Sequence, residues 1–228
     1  MLAGETVIPT LTGLQFLVDL LESPSRVFVW NGTKVTIGVV HVEPAGQSAP
    51  VCLTLDDSTD LIISPEMQVF LIGGSLAPAR EIPVGTSILP FYFREDRQRH
   101  RLYREPGEWH LGAHTNVDSG RWRRIYRMVA EVKLGRRCRP DDAVRLIDGD
   151  RNNCSPENIV VEERRITAPS TRKNFTSPLV EAQKIIDRPN HRVTAVKTLP
   201  SREMYSIVGE GSGSLAAGGV FIRADRVK

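Results

Sequence analysis

The chain has 228 residues, 40% of them hydrophobic, and a net charge of +3, so it is long enough to bury a core in one domain or two. No stretch reaches the roughly 18 unbroken apolar residues of a membrane span, and residues 1–12 lack the charged start and apolar run of a signal peptide, so we expect neither. Three cysteines, Cys52, Cys138 and Cys154, without a Cys-x-x-Cys pair argue against a disulfide framework and a cysteine zinc site.

Charge is distributed unevenly along the chain. Residues 1–93 have 3 Lys and Arg against 9 Asp and Glu, a net charge of −6, whereas residues 94–139 have 13 against 6, a net charge of +7. Residues 140–228 have 14 against 12, a net charge of +2. This asymmetry indicates two units with different partners, and the basic unit is the candidate for contact with a polyanion.

Residues 1–93 have the pattern of a β-rich unit, because short apolar runs alternate with turn signals. A short helix is predicted over residues 15–21, since apolar residues recur there with helical spacing. The predicted turns are Asn31-Gly32, Asp56-Asp57-Ser58 and Gly73-Gly74. The predicted strands are residues 27–30, 34–40, 51–55, 61–63 and 68–72.

The middle of the chain has helical signals. Residues 121–134 have helical periodicity, Gly135 is a natural C-cap, and Ser155-Pro156-Glu157 predicts the start of a helical turn. The predicted apolar face of the first helix consists of Ile125, Met128, Val129 and Val132. Residues 164–178 predict a linker, and residues 178–186 predict a short helix. The last predicted strands are residues 192–196, 204–208 and 219–222, with a loop at 211–214.

Six short segments near the two ends of the chain follow one another in order: residues 2–8, 53–57, 63–71, 83–90, 204–208 and 214–222. In order and spacing, these segments resemble the sequence blocks of the Hint fold, which inteins and hedgehog-type autoprocessing domains share. The resemblance covers residues 1–93 and about 190–228. It implies one β domain built from both ends of the chain.

The same resemblance assigns five reactive positions, and none has the residue type that protein splicing needs. Splicing begins with a thiol or hydroxyl at the first position, where the chain has Met1. A His that polarises the scissile amide corresponds to Met67. The His-Asn pair that releases the downstream chain corresponds to Arg223 and Ala224, and the acceptor corresponds to Asp225. The resemblance therefore implies a Hint fold that does not splice.

Residues 144–159 read Val-Arg-Leu-Ile-Asp-Gly-Asp-Arg-Asn-Asn-Cys-Ser-Pro-Glu-Asn-Ile. This run resembles the centre of an HNH nuclease of the kind carried inside inteins. In that family two His, a metal ligand and a general base, usually occupy the positions of Arg145 and Leu146. Loss of the base alone implies a rate lower by roughly 10²- to 10⁴-fold. The residues of the HNH frame that the chain retains are Asp148, Asp150, Asn153 and Asn158.

Basic residues concentrate in residues 94–187, which we call the insert. We predict that they neutralise DNA phosphates, with a solvated helix face or an acidic protein partner as alternatives. Trp109, Trp122 and Tyr126 lie among them. The predicted nucleic-acid-binding residues are Arg121, Arg123, Arg124, Arg127, Lys133, Arg136, Arg137, Arg139 and Arg145.

Asp148 and Asp150 allow two interpretations. Their carboxylates either ligate a hard cation or cap backbone N–H groups within a tight turn, which is the commoner role of such a loop. We expect no bound metal and no cofactor. A metal site at His110, His114 and Asp118 is the alternative, although isolated histidines in a polar segment are usually only solvated.

The predicted fold class is mainly β, with a Hint-like β domain formed by residues 1–93 and 188–228. A small α+β insert of the HNH (ββα) type, residues 94–187, interrupts this domain. Because all the reactive positions are substituted, we expect no catalytic residues.

The leading hypothesis is a catalytically inactive relic of an intein-borne HNH homing endonuclease, which acts as a DNA-binding or assembly module. A phage or another mobile element is its expected source, and the host cytoplasm or the phage particle its expected location. Its expected partners are DNA or assembly proteins, and no membrane. One alternative is an active HNH-type endonuclease with a rearranged site at Asp148, Asp150 and His110. The other is a virion structural protein that reuses the same scaffold.

Overall fold

β-Strands make up most of the part of the chain that the computed structural model describes. The described residues are 1–32, 34–95, 101–104, 122–139, 142–163, 191–210 and 213–226. The strands are β1 (Val7–Thr10), β2 (Gly13–Phe16), β3 (Ser25–Trp30), β4 (Val35–Ser48), β5 (Val51–Leu55), β6 (Asp60–Ile63), β7 (Gln68–Phe70), β8 (Leu76–Pro78), β9 (Tyr92–Glu95), β10 (Arg101–Arg104), β11 (Arg123–Arg124), β12 (Asp142–Leu146), β13 (Ile159–Glu163), β14 (Val193–Thr198), β15 (Arg202–Glu210), β16 (Ser214–Ala217), β17 (Val220–Arg223) and β18 (Asp225–Arg226). Within these ranges the helical elements are α1 (Ile125–Leu134) and the 3-10 turns Leu17–Leu20, Ala79–Glu81 and Pro156–Asn158.

The main sheet interleaves strands from both ends of the chain. Its strands lie in the order β18-β15-β4-β3-β16-β17-β7-β8, and β1, which also pairs with β2, joins it through β3. A smaller sheet has the order β14-β5-β6, so that a late strand again lies against an early one. Each end of the chain therefore completes sheets that the other end begins.

Turn chemistry explains the early hairpins. Between β3 and β4, the side chain of Asn31 accepts a hydrogen bond from the backbone N–H of Lys34 at 2.9 Å, and Gly32 adopts a φ of 95°. This left-handed conformation costs glycine little, because it has no Cβ. Between β5 and β6, the side chain of Asp57 accepts a bond from the N–H of Thr59 at 3.0 Å. These hydrogen bonds reverse the chain where the sequence predicts turns.

Alternate residues of β3 enter two different hydrophobic clusters. Val27 and Val29 pack in a cluster that joins β5 and β6 to the main sheet. Phe28 and Trp30 point to the opposite face, where they pack with α1. Successive side chains of a strand face opposite sides, so one short strand contributes to both clusters. Phe91 adds to the second cluster, with its ring centroid 5.1 Å from that of Phe28.

The insert contributes small elements that pack on this second cluster. β9, β10 and β11 form a three-stranded sheet, and β12 and β13 form an antiparallel hairpin. α1 buries Ile125, Met128 and Val129 against the cluster and ends at Gly135, whose φ of 64° confirms the predicted C-cap. β9 spans the proposed boundary between positions 93 and 94. Both domain boundaries of the insert stay predictions.

Two helix predictions are corrected. Residues 15–21 do not form one helix, because Gly13–Phe16 pairs with β1 and only Leu17–Leu20 turn as a 3-10 helix. The second helix begins at Ile125 rather than at 121, since Arg123 and Arg124 pair with β10. In both segments a neighbouring strand supplies the backbone hydrogen bonds, and tertiary pairing overrides a helical pattern.

The other element predictions agree with the structure where it describes them. The strands predicted at 51–55 and 61–63 are confirmed as β5 and β6, and the strand predicted at 34–40 continues to Ser48 as β4. The linker at 164–178 and the helix at 178–186 lie outside the described residues. Among the described helices, none has the length and apolar character of a membrane span.

Candidate functional site

A pocket of about 430 Å³ lies where the first residues of the chain meet the end of β17. Leu2 bridges to both Tyr205 and Ile63, which fixes the preceding Met1 beside the turn that follows β6. The described residues that line the pocket are Met1, Ser64, Glu66, Met67, Gln68, Arg223 and Ala224. Four of the five positions to which the Hint resemblance assigns splicing roles therefore meet in one pocket.

Backbone and hydroxyl contacts hold the walls of this pocket. The N–H of Ser64 donates to the carbonyl of Met1 at 2.9 Å, and the Met1 nitrogen donates to Ser64 Oγ at 3.3 Å. The N–H of Met67 donates to the carbonyl of Ser64 at 3.0 Å. The side chain of Met67 is 5% exposed, so its thioether lies in the wall rather than in solvent.

The pocket is lined by two thioethers, a methyl group, a hydroxyl, an amide and two charged groups. They belong to Met1 and Met67, Ala224, Ser64, Gln68, and Glu66 and Arg223, respectively. Glu66 forms an ion pair with Arg80, outside the pocket. Among the described lining residues there is no thiol, imidazole or asparagine. The described side chains that line the pocket therefore include no base that titrates near neutral pH.

The loop between β12 and β13 contains the predicted frame residues, and Asn158 holds it. Asn158 is 8% exposed. Its Oδ1 accepts from the N–H of Asp148 at 3.0 Å. Its Nδ2 donates to Asp148 Oδ1 and to the Asn153 carbonyl, both at 2.8 Å. These bonds join the two ends of the loop.

The carboxylates of the loop are occupied by the loop itself. Asp148 Oδ2 accepts from Asn153 Nδ2 at 2.7 Å, and Oδ1 accepts from the N–H of Asp150 at 2.8 Å. The hydrogen bond from Asn153, followed by the one from Asp150, holds the pKa of Asp148 below its usual value. Asp150 Oδ1 accepts from the N–H of Asn152 at 2.9 Å. These contacts are those of a capped turn.

Arg145 and Leu146 lie at the end of β12. The Arg145 side chain is 63% exposed and lies 3.4 Å from a carboxylate oxygen of Glu162. Leu146 is partly buried and packs against the second hydrophobic cluster. The geometry gives these two positions roles in charge pairing and packing.

The structure divides the predicted DNA-binding residues into two groups. Three are engaged within the fold. Arg123 pairs with Glu131 at 2.6 Å, Arg136 with the buried Asp142 at 2.6 Å, and Lys133 donates to the carbonyls of Pro156 and Ile159 at 2.8 and 2.6 Å. The exposed residues are Arg124, Arg137, Arg139 and Arg145, whereas Arg127 is partly buried and Arg121 lies outside the described residues.

The aromatic residues of this region are also engaged. The guanidinium carbon of Arg94 lies 4.0 Å from the centroid of the Trp122 ring. The hydroxyl of Tyr126 accepts a hydrogen bond from Arg124 at 2.8 Å. The other predicted positions of interest lie beyond the described ranges, namely Trp109, His110, His114 and Asp118.

A cluster that the sequence interpretation missed lies at the turn between β5 and β6. One ligand atom each from Asp56, Asp57 and His191 fall within 4.8 Å of one another. His191 is 5% exposed and precedes β14. His191 and Asp57 are far apart in the sequence, and only the pairing of β14 with β5 brings them together. No local sequence pattern could therefore have indicated this cluster.

Comparison with known proteins shows what kind of fold this is. No protein-family model and no curated protein match the sequence. A mutant of a variant of the Ssp DnaB mini-intein matches in structure with a TM-score of 0.51 at 11% identity, over 98% of both chains. The parent variant matches with a TM-score of 0.51 at 9% identity, over 100% of this chain and 95% of that one. A DnaB intein from Synechocystis sp. PCC 6803 matches with a TM-score of 0.50 at 11% identity, over 98% and 97%.

These similarities establish the fold and nothing beyond it. The chain has the mainly β Hint fold of inteins, and the prediction of that fold is confirmed. The comparisons do not support the HNH part of the prediction, which stays a prediction.

Proposed function

We propose that this chain is a catalytically inactive protein of intein-like fold that binds DNA through its insert. The observation that carries the proposal is the exposure of Arg137 and Arg139 at the end of α1, where no described carboxylate pairs with either side chain. A phage or another mobile element is the proposed source. The host cytoplasm or the phage particle is the proposed location.

The inactive part of the proposal is supported by the composition of the pocket. Splicing requires a nucleophile, a polarising histidine and an asparagine that cyclises. The corresponding pocket residues are Met1, Met67, Arg223 and Ala224, none of which can perform these steps. The pocket thus brings together four positions to which the resemblance assigns splicing roles, but their side chains lack the functional groups that splicing requires.

The DNA-binding part is supported by the way the backbone presents the exposed arginines. The N–H of Arg139 donates to Asp142 at 2.6 Å, which ties the segment after α1 to the start of β12. Arg145 lies three residues after Asp142 on β12, which is about 10 Å along the strand. Arg137, Arg139 and Arg145 are all exposed on these two neighbouring segments. Guanidinium groups are suited to such a surface, because their planar donors match phosphate oxygens.

We further propose that the β12–β13 hairpin derives from an HNH frame. The support is the loop, in which Asn158 bonds to both Asp148 and Asn153. The frame would then survive as a loop scaffold after its histidines were replaced by Arg145 and Leu146. Its carboxylates stabilise the turn instead of binding a catalytic metal.

Salt dependence of DNA affinity tests the proposal. Fluorescence anisotropy of a labelled duplex, measured across a KCl series, gives the slope of log K against log salt. We expect a steep slope for the natural chain, and a slope reduced by about 2 for Arg137→Ala combined with Arg139→Ala, about 1 for each lost phosphate contact.

The matched control removes two arginines elsewhere. Arg80 and Arg202 both pair with carboxylates outside the insert, so Arg80→Ala with Arg202→Ala changes net charge equally and should leave the slope unchanged. A slope near zero for the natural chain, or equal slopes for both double variants, would contradict DNA binding by this surface. Cleavage of the duplex after addition of magnesium would contradict the inactive part.

A role in assembly is the second candidate, and one observation favours it. Leu14 and Phe16 are 59% and 52% exposed on β2, which pairs only with β1 among the described strands. They lie two residues apart and therefore face the same side. An apolar patch on an edge strand is typical of a protein contact. Assembly without DNA binding, as in a virion protein, predicts no salt-sensitive DNA affinity in the same titration.

A further inference from the structure

The cluster of Asp56, Asp57 and His191 joins three parts of the fold. The two aspartates lie in the turn between β5 and β6, and His191 lies at the entry to β14. The turn between β16 and β17 closes the third side, since Gly219 approaches the His191 ring. None of these residues lines the pocket at Met1, so the two places are separate.

His191 is held in position by its surroundings. Its backbone has a φ of 49°, which an L-residue rarely adopts, and its carbonyl accepts from the N–H of Ile88 at 3.1 Å. The ring lies against Tyr92, with centroids 5.2 Å apart. A Cβ on Gly219 would lie 3.3 Å from Nε2, so only glycine leaves the ring its full space. A strained backbone held by neighbours on every side is typical of a functional position.

Both ring nitrogens of His191 are buried and make no well-aligned hydrogen bond with the described residues, although the backbone of Gly219 lies close enough to interact with the ring. Nδ1 lies 3.3 Å from Asp57 Oδ2, close enough for an ion pair but misaligned for a hydrogen bond. The other oxygen of Asp57 is used by Thr59 in the turn. Buried polar atoms are normally satisfied, so the unsatisfied ring calls for a partner.

We propose that His191, Asp57 and Asp56 bind a divalent transition-metal ion of the Zn²⁺ type. Metal–ligand bonds of about 2.0–2.2 Å at a tetrahedral ion place two ligand atoms roughly 3.3–3.5 Å apart. The separation of 3.3 Å between Nδ1 and Oδ2 matches this spacing. Asp56 is exposed, and one of its carboxylate oxygens lies within 4.8 Å of the ligand atoms of the other two residues.

The choice of metal follows from the ligands. An imidazole nitrogen with carboxylates suits Zn²⁺, Co²⁺ or Ni²⁺, whereas Mg²⁺ and Ca²⁺ prefer oxygen ligands alone. The exposed side of the two aspartates leaves a fourth position to water. The ion would cross-link an early turn to a late strand and thereby stabilise the sheet β14-β5-β6.

Titration with Co²⁺ alone, followed by competition with Zn²⁺, tests this site on the full chain after treatment with a chelator. Co²⁺ in a tetrahedral site absorbs visible light, so binding is read without any activity assay. We expect one ion per chain, displaced by Zn²⁺. Asp57→Asn and His191→Gln should each weaken binding by at least about 10-fold.

Two variants serve as controls. His41→Gln removes an exposed histidine on β4, and Asp60→Asn removes an exposed carboxylate next to the same turn. Both should bind Co²⁺ as the natural chain does. If His191→Gln fails to fold, Asp57→Asn decides, because its side chain is 30% exposed and its change leaves the core intact. Absence of a tetrahedral Co²⁺ spectrum, or equal affinity in Asp57→Asn and Asp60→Asn, would overturn the proposal. The proposed metal site does not depend on whether the chain binds DNA.

Discussion

Asp142 shows how single residues tie the insert together. Its carboxylate accepts two bonds from Arg136, at 2.6 and 3.2 Å, and one from the N–H of Arg139 at 2.6 Å. The side chain is only 2% exposed. These donors, led by Arg136, lower its pKa from 3.8 to about 2. Sequence inspection assigns Arg136 to DNA, whereas the structure assigns it to this carboxylate.

Acid should therefore weaken the fold through Asp142. A carboxyl with a pKa lower in the folded state than in the unfolded state contributes its full stabilisation above pH 4 and loses it as the pH falls to about 2. We expect the free energy of unfolding to fall more steeply with pH over this window for the natural chain than for Asp142→Asn. Urea unfolding at a series of pH values measures both slopes. Equal slopes would contradict the assignment, and Asp60→Asn, which changes an exposed carboxyl, is the control.

At the scale of elements, α1 shows where periodicity succeeds and where it fails. The sequence places Val129 and Val132 on one apolar face. In the structure Val129 is fully buried, whereas Val132 is 46% exposed. Ala130, which the pattern does not include, is buried instead. The helix packs between the main sheet and the β12–β13 hairpin, so its buried surface follows two partners rather than one stripe.

The two valines give a matched test of this packing. Val129→Ala should lower the free energy of unfolding by roughly 2 kcal/mol, since it removes two buried methyl groups and leaves a cavity. Val132→Ala should change it by less than about 0.5 kcal/mol, as expected for an exposed position. Urea unfolding of both variants provides the measurement. Similar losses in the two variants would mean that α1 does not pack as described.

At the scale of the whole molecule, both ends of the chain build one pocket. Met1 and Met67 come from the first part, and Arg223 and Ala224 come from the last. None of these four residues is of the type that the Hint resemblance assigns to its position. Two of these side chains also belong to the core, because Met67 and Ala224 pack in the first hydrophobic cluster.

We expect no self-cleavage when the chain is fused between two reporter domains. The physical reason is that the pocket offers neither the nucleophile nor the histidine that each cleavage step requires. Intact mass spectrometry after prolonged incubation should return the full fusion mass. A second fusion with a protease site between the same domains verifies that a released product would be detected. Any product of lower mass from the first fusion would refute the absence of splicing.

Local features of this protein could be predicted from its residues alone. Short apolar runs beside a turn signal identified β5 and β6, turn residues identified the hairpin at Asn31, and Gly135 marked the end of α1. The resemblance of several short segments identified the Hint fold, and it predicts that the splicing positions are substituted. These features are readable because turn chemistry and strand alternation depend on residues a few positions apart.

Only the tertiary structure decided which residues meet. The pairing of Gly13–Phe16 with β1 replaced a predicted helix, and the packing of α1 exposed Val132. The approach of His191 to Asp57 depends on β14 lying beside β5. Strand order arises from the burial of many side chains at once, so no local pattern encodes it. Residue types could therefore be compared with the Hint pattern position by position, whereas the cluster at His191 became visible only through strand pairing.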